Sequence, residues 1–239
     1  MGLLLYLLTA AATLLAWHRW LAPISRGAAI VLVALPMLFT GPALVQNRAY
    51  GGFDILFMSA PFSDYAKEYG FERAHNGMLV DHAFQFASWQ RQVRRSFARG
   101  EWPLWNPGMV SGDVLAAGMQ AAPLSPLNLI GRLLPLDLAT TFDASMVLFL
   151  AALFTFAFAR ALGMSEGASL VAAAGYSCSS AMLFFAGWPH GRSWSVLPLV
   201  LLAVRRVVHV RDVASGALLT GAFVLLIAFG HPETVFHVV

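Results

Sequence analysis

LATTFDASMVLFLAALFTFAFA, residues 138–159, carries one formal charge, Asp143, in a run otherwise built from apolar and small side chains. At 1.5 Å of rise per helical residue it reaches roughly 33 Å, and the hydrocarbon core of a bilayer is about 30 Å thick. The stretch therefore reads as a membrane-crossing helix. Five further apolar segments approach the same length: 1–17, 27–46, 167–187, 194–208 and 214–230. Hydrophobic residues make up 59% of the chain and charged residues 11%, far from the balance of a water-soluble domain. These features predict an all-α fold, a polytopic transmembrane helical bundle.

The short connections carry the basic residues. Arg19 and Arg26 lie between the first two segments, Arg160 follows 138–159, and Arg205 and Arg206 stand at the end of 194–208 with Arg211 just after it. All three connections fall on one side of the expected bundle, and Lys/Arg enrichment in short loops marks the cytoplasmic side. That places the N-terminus, the long loop between the second and third spans, residues 188–193 and residues 230–234 outside. Positions 1–17 lack Lys and Arg while His18 and Arg19 follow them, the reverse of a cleavable leader. The expected location is the bacterial inner (plasma) membrane, multi-pass, with the main loop extracytoplasmic. Residues 1–46 form two N-terminal spans, 47–137 the loop, and 138–239 further spans. Val235–Val239 begins another apolar run, so the chain is expected to be the N-terminal part of a longer protein.

More than half of all Lys, Arg, Asp and Glu side chains lie within residues 46–113, so the chemistry is expected in that loop. Residues 78–99 fit an amphipathic helix lying in the membrane interface. Val80, Phe84, Phe86, Ala87, Val93 and Phe97 supply its apolar side, and Arg91, Arg94, Arg95 and Arg99 gather toward its C-terminal end. Such a helix binds anionic lipid surfaces. The arginines either anchor it to head groups and favour its C-terminal dipole, or grip a phosphate through the forked guanidinium. Gly100 then stops the helix, and Glu101-Trp102-Pro103-Leu104-Trp105-Asn106-Pro107 reads as a stiff turn that holds it against the membrane domain.

Asp81 stands at the start of that helix, four residues before Gln85 and on the same face. It is either an N-terminal dipole partner or a general base that accepts a proton from an attacking hydroxyl. His190, His231 and Glu233 fall on the same outer side. Their spacing matches no recognised ligand pattern, and they form either loop structure, an acid–base network or part of a divalent metal site. Asp143 is costly in a span and is expected to face a wet cavity. The single cysteine, Cys178, excludes an intramolecular disulfide and a cysteine-based zinc site. The small residues Ser169, Ala173, Ser177 and Ala181 recur every four positions and suit close helix packing.

The order Asp81-x-x-x-Gln85, Gly100-Glu-Trp-Pro-Leu-Trp-Asn-Pro107, Gly112, Gln120, Pro126 and Gly230-His-Pro-Glu233 resembles the bacterial YfhO-like membrane proteins, which are similar to glycosyltransferases of the GT-C fold. The resemblance implies an enzyme that moves a sugar from a polyprenyl-phosphate donor to an extracytoplasmic acceptor, a glycan or cell-wall polymer. It puts Asp81 in the position of the catalytic acidic residue. Gln85, Arg91, Arg94, Arg95, His231 and Glu233 become the candidate substrate-binding residues. No residue is assigned as a metal ligand, although a divalent metal is compatible with the family. Two apolar segments precede the loop here where the GT-C pattern has one. Competing readings are a transporter or flippase for a lipid-linked sugar and a non-catalytic cell-envelope scaffold. The net charge of +3 follows from arginines beside spans, and nucleic acid is not an expected partner.

Overall fold

The computed structural model describes residues 1–238. The fold is all-α apart from one two-residue-stranded hairpin. Helix α1 (Gly2–Trp20) and helix α2 (Arg26–Gln46) precede the loop. The loop holds α3 (Ala87–Ala98), strands β1 (Trp105–Asn106) and β2 (Asp113–Val114), and α4 (Pro126–Gly131). After it come α5 (Leu136–Ala161), α6 (Glu166–Ser177), α7 (Ser180–Phe185), α8 (Pro189–His209), α9 (Val213–Ala228) and α10 (Pro232–Val238). Three of these, α1, α2 and α5, are long and apolar enough to cross a membrane.

Helix α5 is the axis of the molecule, with α1, α2, α6 and α8 packed around it. Residues 141–154 are buried without interruption, as expected of a helix apolar on every side. Helices α1 and α2 instead bury one stripe each: Tyr6, Ala10 and Trp17, then Ala28, Leu32, Pro36, Thr40 and Leu44. Their opposite faces expose Leu4, Leu8, Leu15, Ile30, Leu38 and Val45. Polar groups inside the bundle are locally matched. Ser145 Oγ reaches Thr40 Oγ1 at 2.8 Å and Thr141 O at 2.6 Å, and Tyr6 OH donates to Val33 O at 2.7 Å.

Side-chain caps start several of the helices. Ser25 accepts from Ala28 N, Ser165 from Ala168 N and Asp212 from Ser215 N, each satisfying an N–H that the first turn leaves free. One boundary departs from expectation. The apolar segment 167–187 is two helices, because Ser179 accepts from Met182 N and starts α7 afresh after α6 ends at Ser177. Alone, the twelve residues of α6 rise about 18 Å, short of a crossing. Ser169, Ala173 and Ser177 do bury against neighbouring helices, whereas Ala181, beyond the break, is exposed. The segment expected at 194–208 begins earlier, with Pro189 opening α8 at a position that needs no N–H donor.

The three short connections come together at one end. Ser25 Oγ donates to Glu166 Oε1 at 2.9 Å, joining the α1–α2 and α5–α6 turns. Arg205 Nε donates to Ala161 O at 3.0 Å, joining the end of α8 to that of α5. The long loop docks at the other end, through Thr141 Oγ1 to Arg48 O and Tyr50 OH to Leu183 O.

Candidate functional site

Helix α3 begins as the continuation of an irregular helical segment. Residues 80 and 81 are helical, His82–Phe86 make a single π-turn, and regular α-helix follows to Ala98. A π-turn adds a residue to the helical turn and re-aims the side chains before it, and such turns recur at functional sites. Here His82, Phe86, Gln90 and Arg94, each four residues after the last, face one cleft. The expected C-cap is present: Gly100 has φ +72°, its N–H donates to Phe97 O, and Glu101 N–H donates to Ser96 O.

The apolar side of the helix does not simply lie open to lipid. Val93 is buried against Leu115 and Ala121, with Trp89 and Phe97 packed beside them, so the loop has a small core of its own. The segment after Gly100 is more than a turn, since Trp105 and Asn106 pair with Val114 and Asp113 in an antiparallel hairpin. Gly112 lies against the indole of Trp105, where an added Cβ would come within 2.4 Å of the ring. Residues 119–122 tie the loop together: Ala121 O accepts from Gln90 Nε2 at 2.7 Å and Asn128 Nδ2 at 3.3 Å. Gly230, at φ +85°, packs onto Met119 O, where a Cβ would approach to 2.4 Å. Stretches that carry the family resemblance thus act physically as a clamp between the loop and the α9–α10 turn.

A cleft between the loop helix, α4, α5 and the start of α8 holds about 530 Å³ of free space, part of it open to solvent. Tyr50, Phe53 and Phe86 give it aromatic walls, and Gln90, Asn128 and Thr140 add polar groups. Two charged residues from α5 and α8 also line it. Arg192, in the first turn of α8, donates through Nε to both Asp143 oxygens, at 3.0 Å and 2.9 Å, and both side chains are buried. The terminal nitrogens of Arg192 make no hydrogen bond to any described residue. Asp143 faces the cleft as expected, but it is one half of a buried ion pair between α5 and α8 rather than an isolated acid. Its partner lies 49 positions away on another helix.

His82 is the other feature that spacing did not single out. It is 4% exposed, and Nδ1 accepts from Gly52 N–H at 3.2 Å. A neutral ring with Nδ1 accepting carries its proton on Nε2. That Nε2 has no hydrogen-bond partner among the described residues and lies against Gly187, where a Cβ would come within 2.8 Å of it. Burial pushes the imidazole down from its ordinary 6.5 to about 4. Between those values the unfolded chain binds a proton that the folded chain refuses, so stability is complete above pH 6.5 and declines as pH falls toward 4. The full loss is about 3 kcal/mol. The unfolding midpoint of the detergent-solubilised protein is expected to fall between pH 7 and pH 4.5, and His82→Gln to flatten that dependence. An equal slope in both proteins would show that His82 is not the group involved.

The candidate residues named from sequence separate into three groups. Asp81 and Gln85 are together and half-buried, with Gln85 Nε2 donating to Asp81 Oδ1 at 3.1 Å. They occupy the helical stripe one residue before the cleft-lining one, about 100° around the axis. Arg94 lines the cleft, but NH1 and NH2 are committed to Leu134 O at 2.6 Å and Gly131 O at 2.9 Å, at the end of α4 and in the turn after it. Arg91 and Arg95 lie on the exposed face, with no hydrogen bond to a described residue. His231 is buried at the α9–α10 turn, where Nδ1 accepts from Thr234 N–H at 3.1 Å and the ring lies 3.6 Å from that of His190. Glu233 is exposed. A chain of rings, His82 to Trp188 to His190 to His231, joins this third group to the cleft wall. Among the described residues, no three His, Cys, Asp or Glu side chains converge as a metal site would require. Comparison with protein-family models, curated proteins and solved structures finds no match to this chain.

Proposed function

We propose that the chain belongs to a membrane glycosyltransferase that transfers a sugar from a polyprenyl-phosphate donor to an extracytoplasmic glycan or cell-wall polymer. One observation carries the reading: a partly enclosed cleft under the loop helix, with aromatic walls and a buried Arg192 whose terminal nitrogens are unbonded, while the Asp81–Gln85 pair sits on the neighbouring stripe of the same helix. Aromatic walls with amide and hydroxyl groups suit a sugar, and guanidinium suits its phosphate. The YfhO-like order of Asp81, GEWPLWNP and GHPE supports the same class.

In this mechanism Asp81 accepts the proton of the acceptor hydroxyl as that oxygen attacks the anomeric carbon. The bond to the phosphate oxygen breaks on the opposite face, and a single displacement inverts the anomeric centre. Negative charge developing on the departing phosphate is met by Arg192 and by the neutral His82 Nε2–H, donors fixed before the reaction. Arg94 adds positive charge to the same wall, while its fork is occupied by carbonyls. Arg91 and Arg95, on the open face, approach lipid head groups and guide the anionic donor. Helices α1, α2 and α5 cross the bilayer, joined by α6 with α7, by α8 and by α9, and α3 lies at the outer interface. The end bearing Arg19, Arg160 and Arg205 is cytoplasmic and the loop end outside.

The test is direct. The full-length protein in liposomes, given a labelled polyprenyl-phosphate sugar and an oligosaccharide acceptor, is expected to release polyprenyl phosphate and label the acceptor. A donor that remains intact across acceptor classes would remove the reading. The second reading, transport of a lipid-linked sugar, is favoured by the buried Asp143–Arg192 pair and the broken α6–α7 segment, both features of transport pathways. Counterflow of labelled donor without any covalent product would select it.

A further inference from the structure

The end of the bundle opposite the cleft holds a second cavity, of about 820 Å³ including its open mouth. Its walls come from the end of α1, the α1–α2 turn, the ends of α5 and α8, and α9. The floor is apolar and fixed: Trp17 is buried and packs on Phe154 at 5.8 Å between rings, and Phe156, Ala157 and Leu202 are buried beside it. Two cations stand in the lining, Arg160 and Arg206, and no acidic residue does. Arg160 NH1 is held by Met164 O at 2.5 Å. Arg206 is half-buried and makes no hydrogen bond through its side chain to a described residue. Of the acids nearby, Glu166 accepts from Ser25 Oγ at 2.9 Å, and Asp212 accepts from Ser215 N–H at 2.7 Å while attracting Arg206 only through space, with no hydrogen bond between them.

An apolar bowl with a cationic rim matches an amphiphile of one kind, an apolar chain that ends in an anion. The position fits as well, because the rim residues sit at the ends of α5 and α8, where membrane helices meet the head-group layer. Basic pockets between such helices hold anionic lipid head groups. We infer that this cavity is a binding site for one anionic phospholipid, with its phosphate between Arg160 and Arg206 and an acyl chain over Trp17, Phe156, Ala157 and Leu202. The inference rests on membrane insertion of α1 and α5 and is independent of the transferase reading. The ligand here is a resident lipid, on the face away from the cleft.

The test uses the full-length protein, delipidated in detergent and titrated with phosphatidylglycerol or phosphatidylcholine of matched chains, with bound lipid counted by native mass spectrometry. Each arginine near a bilayer surface is worth about a fivefold gain in affinity for anionic lipid, so the pair predicts a preference on the order of thirtyfold. Arg206→Gln, which breaks no hydrogen bond in the protein, is expected to cut that preference about fivefold, and Arg160→Gln with Arg206→Gln to abolish it. Leu218→Trp, at the half-buried edge, is expected to weaken both lipids equally. Unfolding midpoints of the variants are measured alongside, so that loss of fold is not read as loss of binding. Equal binding of the two lipids, a preference untouched in Arg206→Gln, or displacement of bound lipid by millimolar inorganic phosphate alone would each overturn the assignment.

Discussion

Asp81→Asn is expected to lower the turnover of labelled lipid-linked sugar by roughly a hundredfold to ten-thousandfold, the range over which a positioned general base contributes. The substitution is close to isosteric, and an amide oxygen at this position can still accept from Gln85 Nε2, the contact made at 3.1 Å in the native chain. Protein level and unfolding midpoint should therefore stay near wild type while kcat falls and KM changes little. That split separates loss of a group acting in the transition state from loss of substrate binding. Gln85→Ala removes a neighbour of the carboxylate but not the base, and is expected to cost less than Asp81→Asn. Normal transfer by Asp81→Asn would move the search for a base away from the Asp81 stripe of the loop helix.

The residues that fix the architecture announced themselves in different degrees. The run 138–159 was legible because many consecutive apolar side chains admit few alternatives, and its burial on all sides makes it the bundle axis. The break inside 167–187 was not, since Ser177-Cys178-Ser179 is apolar enough to pass in a span, and only the hydroxyl of Ser179 reaching Met182 N shows a new helix start. Gly100 was readable as a stop from its residue type and its place after the arginines. The hairpin that follows was hidden because Trp105 pairs with Val114 across a loop whose geometry depends on Gly112 lying beneath the indole.

The candidate site divides along the same line. The Asp81–Gln85 contact follows from local helical spacing, and the structure pairs them. Arg91, Arg94 and Arg95 look equivalent in sequence, yet packing separates them: Arg94 turns inward to the Gly131 and Leu134 carbonyls and the other two stay open. The role of His82 depends on three glycines that are distant in sequence or unremarkable locally. Gly51 and Gly187 leave room for the ring, and Gly52 fixes its tautomer. No periodicity within 78–99 could reveal that. Arg192 was overlooked for a related reason, since its partner is on α5 and a basic residue near a span end ordinarily reads as an anchor.

That pair gives the second large effect. Arg192→Met is expected to cost roughly 3–5 kcal/mol of stability, because it strands the Asp143 carboxylate in a buried site with no countercharge. The unfolding midpoint of the detergent-solubilised protein should fall by many degrees, or folded protein should be lost altogether. Replacing both members, Asp143→Leu with Arg192→Met, removes the desolvation penalty together with the attraction, and buried pairs exchanged for apolar side chains often lose nothing. Most of the stability is therefore expected to return in the double variant. The stable double variant then isolates function from folding. If Arg192 meets the phosphate of the donor, the double variant folds yet loses donor affinity and transfer, while retaining the Asp81–Gln85 pair. If the ion pair serves only to join α5 to α8, the double variant transfers sugar at the native rate, and the phosphate contact must be sought among the open-face arginines of α3.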